Sequence, residues 1–283
     1  MIQYITPSIA IGMNARLFPA NWRPIRHEIS FARQLGCTYL QVHGSERGAD
    51  AAYFGEAPEA VGDALARHGL SATMEIVVRL RANGQTIGGA TPLDVLRANL
   101  PAIDALGIQH VHFHFAPAEY LTSETLRALE GALIDQLATG AALARRHGCT
   151  LGLEHNEPDV PLFAELEPVI TALESVPDLG FVWDLNHTPP DELGEWMDLA
   201  PRMTLLHVSD TPLPKVNHHL PLGLGSIDFS ARFHALHSAG YAGPAILEIG
   251  GVPKSGGFGR DTDDALADSV ARLRGALDTR ARS

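Results

Sequence analysis

The run Gly-Phe-Val-Trp-Asp-Leu-Asn-His at 180–187 begins as an apolar stretch with the pattern of a buried strand. It ends in a carboxylate, Asp184, and an imidazole, His187, just before Pro189 and Pro190. A strand that carries such groups to its tip aims polar chemistry at one point. Other apolar runs end the same way, with His43, with Glu75, with His112 and His114, with Glu154 and His155, with His207 and Asp210, and with Glu248. Burying these groups is costly unless they are paired or bound to a metal. Two or three acids with one or two imidazoles make a mixed oxygen and nitrogen donor set. That set suits Mn²⁺, Co²⁺, Fe²⁺, Zn²⁺ or Mg²⁺, and the lack of thiolate ligands argues against a structural zinc. Histidine is unusually frequent, with 14 residues.

The elements that position these residues alternate regularly. Strands are predicted at 3–7, 38–43, 71–78, 108–115, 150–155, from Gly180 to Asp184, at 203–208 and at 245–249. A polar loop containing Asn14 and Trp22 follows the first of them. Helical periodicity falls at 25–35, 58–68, from a Thr91 cap to Leu106, at 123–147, 160–175 with a kink at Pro168, 191–199, 229–239 and 262–277. Residues 279–283 read as a frayed tail. Eight apolar strands, each followed by a helix and without a linker, predict a parallel sheet covered by helices. The expected architecture is a (β/α)₈ TIM barrel forming a single domain over 1–283, with its site at the C-terminal ends of the strands. An open doubly wound sheet is disfavoured, because no Gly-x-Gly-x-x-Gly follows the first strand.

Composition narrows the partners. The net charge is −12, which opposes a broad phosphate-binding surface and so opposes nucleic acid. No apolar run approaches the ~18 residues of a membrane span, and no signal peptide is visible. Cys37 and Cys149 each follow a glycine before a strand and read as small buried residues, consistent with a reducing cytoplasm.

The sequence Leu-Glu154-His, Trp-Asp184-Leu-Asn-His187, Leu-His207-Val-Ser-Asp210, Gly223-Leu-Gly225-Ser-Ile-Asp228-Phe and Leu-Glu248-Ile resembles the xylose isomerase-like barrel superfamily. It is most similar to the branch of sugar isomerases and epimerases, inosose dehydratase and endonuclease IV-type enzymes. Residues 150–250 carry the resemblance; the first half shares mainly the strand and helix rhythm. The ketose 3-epimerase pattern implies that Glu154, Asp184, His207 and Glu248 bind one divalent metal, with Mn²⁺ expected first and Co²⁺, Mg²⁺, Fe²⁺ or Zn²⁺ as alternatives. Glu154 and Glu248 would also be the acid–base pair. One takes a proton beside a carbonyl held on the metal and the other returns it from the opposite face. His187 would touch a substrate oxygen, with His114, His219 and Glu75 as further substrate-binding candidates. Apart from that pattern, Asp210, three residues beyond His207, is expected to orient its ring.

The implied function is therefore an isomerase or epimerase acting on a small carbohydrate-like carbonyl substrate. A dehydratase or lyase of the inosose dehydratase type shares its first step. A DNA-repair endonuclease is the weaker alternative, because Asn217-His218-His219 stands where those enzymes place an Asp-x-His pair, and strand three offers Glu75 rather than a histidine. The arginine that such epimerases carry after the strand-seven histidine is missing from 209–215. The resemblance also allows a homo-oligomer.

Overall fold

The computed structural model describes residues 9–16, 22–251 and 253–278. Its strands are β1 (Ala10–Asn14), β2 (Tyr39–His43), β3 (Ser71–Leu80), β4 (His110–Pro117), β5 (Thr150–Glu154), β6 (Gly180–Asp184), β7 (Met203–Val208) and β8 (Pro244–Leu247). All adjacent pairs are parallel, and β1 pairs with both β2 and β8, so the sheet closes into the expected (β/α)₈ barrel. Outside it lie α1 (Ile25–Gln34), α2 (Ala51–Phe54), α3 (Pro58–His68), α4 (Pro92–Leu106), α5 (Ser123–Arg146), α6 (Leu166–Ser175), α7 (Leu193–Met197), α8 (Phe229–Ser238) and α9 (Asp263–Asp278). Their apolar faces meet the outward strand residues in one continuous core. No helix among the described residues is long and apolar enough to cross a membrane.

The bore decides where the functional groups sit. Side chains alternate across a strand, so residues two apart share a face. Val182, Leu205 and Ile246, with Tyr39 against them, form a small apolar cluster of their own. Two residues further along each of these strands, on the same face, come Asp184, His207, Glu248 and Gln41. The apolar floor and the polar rim above it are thus written in one period-two pattern on four strands.

Several boundaries differ from the sequence reading, and α2 was not expected; three of the differences matter most here. The predicted strand at 3–7 lies outside the described residues, as does the predicted tail; the barrel's first strand is Ala10–Asn14, which the sequence reading placed in or near a polar loop. Gly12 interrupts the apolar alternation there because the barrel requires it. A Cβ at that position would sit 2.4 Å from Ile246 Cδ1 and 2.7 Å from Tyr39 Cβ. Helix α6 starts only at Leu166, and Pro168 falls in its first turn rather than at a kink, where a missing N–H costs nothing. The preceding segment is an irregular loop. Asn156 donates to the Leu162 carbonyl, and the Phe163 N–H donates to Glu130 Oε1 at 2.7 Å. Strand β8 stops at Leu247, so Glu248 lies just past its end.

Both cysteines are free and buried. Burial pushes each thiol up to about 11 from 9.0. The folded state then keeps its thiol protons while the unfolded chain begins to lose them, so stability falls as pH rises from 9.0 towards 11. The expected loss is on the order of 1 kcal/mol per pH unit for each thiol. Chemical denaturation across that range should show a shallower decline for the Cys37→Ala/Cys149→Ala double variant than for the wild type.

Candidate metal centre

Glu154 ends β5, Asp184 ends β6, His207 lies near the end of β7 and Glu248 follows β8. One donor atom from each lies within 4.8 Å of all the others. His207 Nδ1 is 2.8 Å from Glu154 Oε1 and 3.0 Å from Glu248 Oε2. Glu248 Oε1 also accepts a long hydrogen bond from Asn14 Nδ2 at 3.5 Å. Asp184 Oδ1 accepts from the Asn186 N–H at 2.7 Å. Its other oxygen, Oδ2, and Glu154 Oε2 are shut off from solvent without an aligned hydrogen bond, and each has an imidazole nitrogen beside it, His187 Nε2 at 3.3 Å and His112 Nε2 at 3.2 Å.

The electrostatics follow from this crowding. Burial opposes protonation of His207, but Glu154 and then Glu248 outweigh it and raise the imidazole well above its usual value. Burial likewise opposes ionisation of Glu154, yet His207 and His114 hold its carboxyl well below the ordinary range. Three carboxylates and one imidazole converge here, and two buried oxygens lack hydrogen bonds. That donor set fits a divalent cation of the Mn²⁺, Co²⁺, Fe²⁺, Zn²⁺ or Mg²⁺ group.

Glu75 and His114 lie on the β3–β4 side of this cradle. His114 Nδ1 is 3.2 Å from Glu75 Oε1 and 3.6 Å from Glu154 Oε2. Its Nε2 donates to Asn156 Oδ1 at 2.6 Å, because the Asn156 amide nitrogen donates to the carbonyls of Phe115 and Leu162. Burial acts against the charged form of His114, but Glu154 and Glu75 raise it to about 10. Glu75 is correspondingly lowered to about 2, against its burial, by the His114 hydrogen bond and by His43. His43 Nδ1 stands 3.4 Å from Glu75 Oε2.

On the other side, His187 Nδ1–H donates to the His155 carbonyl at 3.1 Å. Its Nε2 is thereby turned to Asp184 Oδ2 at 3.3 Å and Glu157 Oε2 at 3.7 Å. His219 Nδ1 donates to the Glu248 carbonyl at 3.1 Å, and its ring centre is 5.6 Å from that of His187. Asn217 and His219 both have left-handed backbone, with φ of 58° and 46°. The segment is clamped into that shape. Asn186 accepts from the Asn217 N–H, and the His219 carbonyl accepts from the Gly250 N–H.

All eight site residues expected from the sequence are therefore gathered at one mouth, through the shared neighbours Glu154 and Asp184. Asp210 is a correction. Its Oδ1 accepts from the Thr211 and Ile227 N–H groups and its Oδ2 from Gly223 N–H. It pins the 211–227 loop rather than orienting His207, and a Cβ at Gly225 would strike Asp210 Oδ1 at 2.3 Å. His155 is not a site group either. It is buried against Trp196, with ring centres 4.2 Å apart, and its Nε2–H donates to the Asp184 carbonyl. Gln41, Asn14, Asn156 and Glu157 were missed. For Gln41 the signal was present, since it shares a face with His43 two residues on. Asn156 and Glu157 follow β5 in a loop that carries no periodicity.

The chain belongs to the xylose isomerase-like TIM barrel family, whose model matches residues 29–276. Among solved structures it is similar to L-ribulose 3-epimerase, at 19% identity and a TM-score of 0.74, covering 97% of this chain and 96% of that one. D-allulose 3-epimerase from Methylomonas sp. in complex with D-allulose matches at 16% identity and a TM-score of 0.71, over 95% and 98% of the two chains. The IolI protein with a bound zinc atom matches at 14% identity and a TM-score of 0.71, again over 95% and 98%. No curated protein sequence gives a significant match.

Replacing Asp184 with Ala is expected to weaken divalent-ion binding by more than the ~10–100-fold typical of outer-shell partners. His187→Ala should leave it nearly unchanged. Calorimetric titration of each variant with Mn²⁺ checks the separation. Asp210→Ala should instead leave ion binding intact and lower the melting temperature, at about 1–3 kcal/mol for the backbone N–H groups it strands.

Proposed function

We propose that the protein is a divalent-metal-dependent isomerase or epimerase acting on a sugar, ketose or related polyol-derived carbonyl compound. One observation carries this reading: Glu154 and Glu248, from well-separated strands of the ring, converge on His207 with Asp184 beside them. A divalent ion held by Glu154, Asp184, His207 and Glu248 would supply Lewis-acid polarisation of a ketone and its neighbouring hydroxyl, acidifying the C–H between them. Mn²⁺ is the expected ion for three carboxylates and one imidazole, with Co²⁺, Mg²⁺, Fe²⁺ and Zn²⁺ as alternatives.

The chain's own residues supply the rest. Glu154 is ionised and buried, which suits a base that takes the proton. Glu248, from β8, approaches from another side and can return it. His187 keeps its proton to higher pH than an ordinary histidine; burial opposes this, but Asp184 and Glu157 prevail. Its Nε2 can therefore donate to a substrate oxygen, with Glu157 accepting from a neighbouring hydroxyl. His114, His219 and Glu75 complete the polar wall.

Every ion pair found among the described residues for Glu75, Glu154, Glu157, Asp184 and Glu248 is with a histidine, none with lysine or arginine. A phosphate or carboxylate on the substrate would meet five acids whose ion-pair partners, among the described residues, include no lysine or arginine. The reading is therefore an uncharged, unphosphorylated substrate. The charge of −12 favours this small-molecule role over the DNA-repair alternative. The buried free thiols support a reducing compartment, which we take as the cytoplasm. A homo-oligomer is compatible with this assignment.

The test is deuterium uptake from heavy water into a panel of ketoses and inososes by the Mn²⁺-loaded protein. Uptake with appearance of the epimer or isomer is expected. Glu154→Gln and Glu248→Gln should each lower it by about 10²–10⁴-fold. Full exchange activity in Glu154→Gln would falsify the acid–base assignment, and loss of water from the substrate would move the reading to a lyase.

A further inference from the structure

Gln41 is fully buried in the bore on β2, with its amide against the His207 ring from β7. Its two amide atoms have different partners. Gln41 Nε2 donates to Glu75 Oε2 at 3.4 Å, and Gln41 Oε1 is 3.0 Å from His207 Nε2. Thr73 Oγ1 also donates to Gln41 Oε1 at 3.4 Å. A carboxylate can only accept, so the amide nitrogen must face Glu75 and the amide oxygen must face His207. An oxygen there can only accept, so His207 Nε2 must carry a hydrogen. Once the Nδ1 proton shared with Glu154 and Glu248 is lost, the neutral ring has its lone pair on Nδ1, the nitrogen that stands between them.

We propose that Gln41 is a positioning residue that fixes the ring tautomer and orientation of His207, presenting the Nδ1 lone pair to the ion. This rests on the metal-dependent reading above and adds the group that makes one of its ligands competent. The bond also sets the ring plane. His207 rises from the bore between the ring of His112, centred 5.1 Å away, and the two carboxylates. Among the described residues, the Gln41 amide is the only group hydrogen-bonded to its far nitrogen. Without that acceptor the Nδ1–H tautomer becomes accessible, and it cannot ligate through the nitrogen that faces the carboxylates. Outer-shell partners of ligating histidines typically change metal affinity by about 10–100-fold.

Two measurements test this. In the Zn²⁺-loaded wild type with ¹⁵N-labelled histidine, NMR should show His207 with a hydrogen on Nε2 and with Nδ1 as the ligating nitrogen. In Mn²⁺ calorimetry, Gln41→Met, similar in size but without the acceptor, should bind about 10–100-fold more weakly. Ligation through Nε2, or wild-type Mn²⁺ affinity in a folded Gln41→Met protein, overturns the role of Gln41 and leaves the four-ligand site standing. Absence of Mn²⁺ binding in the wild type, or binding that survives Asp184→Ala, overturns the metal reading and the Gln41 role with it. If Gln41→Met does not fold, the wild-type spectrum alone decides which nitrogen ligates.

Discussion

Like-charge crowding is the constraint on which the rest of the structure depends. Five acids, Glu75, Glu154, Glu157, Asp184 and Glu248, share one barrel mouth, and the first four are buried. Two unit charges 4 Å apart at an effective dielectric of 20 repel by about 4 kcal/mol, so such a group needs cations between its members. Among the described residues, their ion-pair partners are all imidazoles. His207 sits between Glu154 and Glu248, His114 between Glu75 and Glu154, and His187 between Asp184 and Glu157. Each of the three bridges two acids at hydrogen-bond or ion-pair distance. The acids are thereby kept ionised at the cost of keeping the histidines charged, and a divalent ion in the four-residue cradle would relieve His207 of that duty.

The barrel scaffold makes this crowding affordable by separating it from the floor. Val182, Leu205, Ile246 and Tyr39 close the bore beneath the rim. They stand two residues before Asp184, His207, Glu248 and Gln41, so the register that packs the floor also fixes the height of the polar ring. A one-residue slip in any of these strands would turn its ligand outward into the helix layer. The helix and strand packing outside the bore is what holds that register.

Much of this was legible in the sequence because it is periodic. Apolar runs ending in Glu154, Asp184, His207 and Glu248 put these residues on strand tips, and the family resemblance singled them out as ligand candidates among the other polar groups there. The alternation of strands and helices implied the closed barrel. What was not legible was aperiodic or depended on closure. Ala10–Asn14 was not read as the first strand because Gly12 interrupts its apolar alternation, and only contact with Ile246 and Tyr39 across the closing seam explains that glycine. Asp210 looked like a partner for His207 from its spacing, but a side chain three residues along a chain leaving a strand can turn to its own loop. Here three backbone N–H groups of that loop claim it. Gln41 was overlooked because an amide in a strand carries no charge to mark it, although its alternation with His43 put it on the inner face.

The same bond recurs around the site, and it ties substrate-facing groups to ion-facing ones. The Asp184 carbonyl accepts from His155, the His155 carbonyl accepts from His187, and the Glu248 carbonyl accepts from His219. In each case a backbone oxygen at or just past a strand end takes one ring N–H, and for His187 this determines the nitrogen left to face the acids of the site. Burial against Trp196 and Phe181 pushes His155 down to about 3, with His187 adding to the shift. It therefore acts as a neutral strut between the ligand Asp184 and the ring of His187. Two hydrogen bonds link the Asp184 backbone to the His187 ring. The group that holds the ion and the group that holds the substrate, three residues apart on one strand end, are thus set by one backbone-anchored chain and not by two independent side-chain placements.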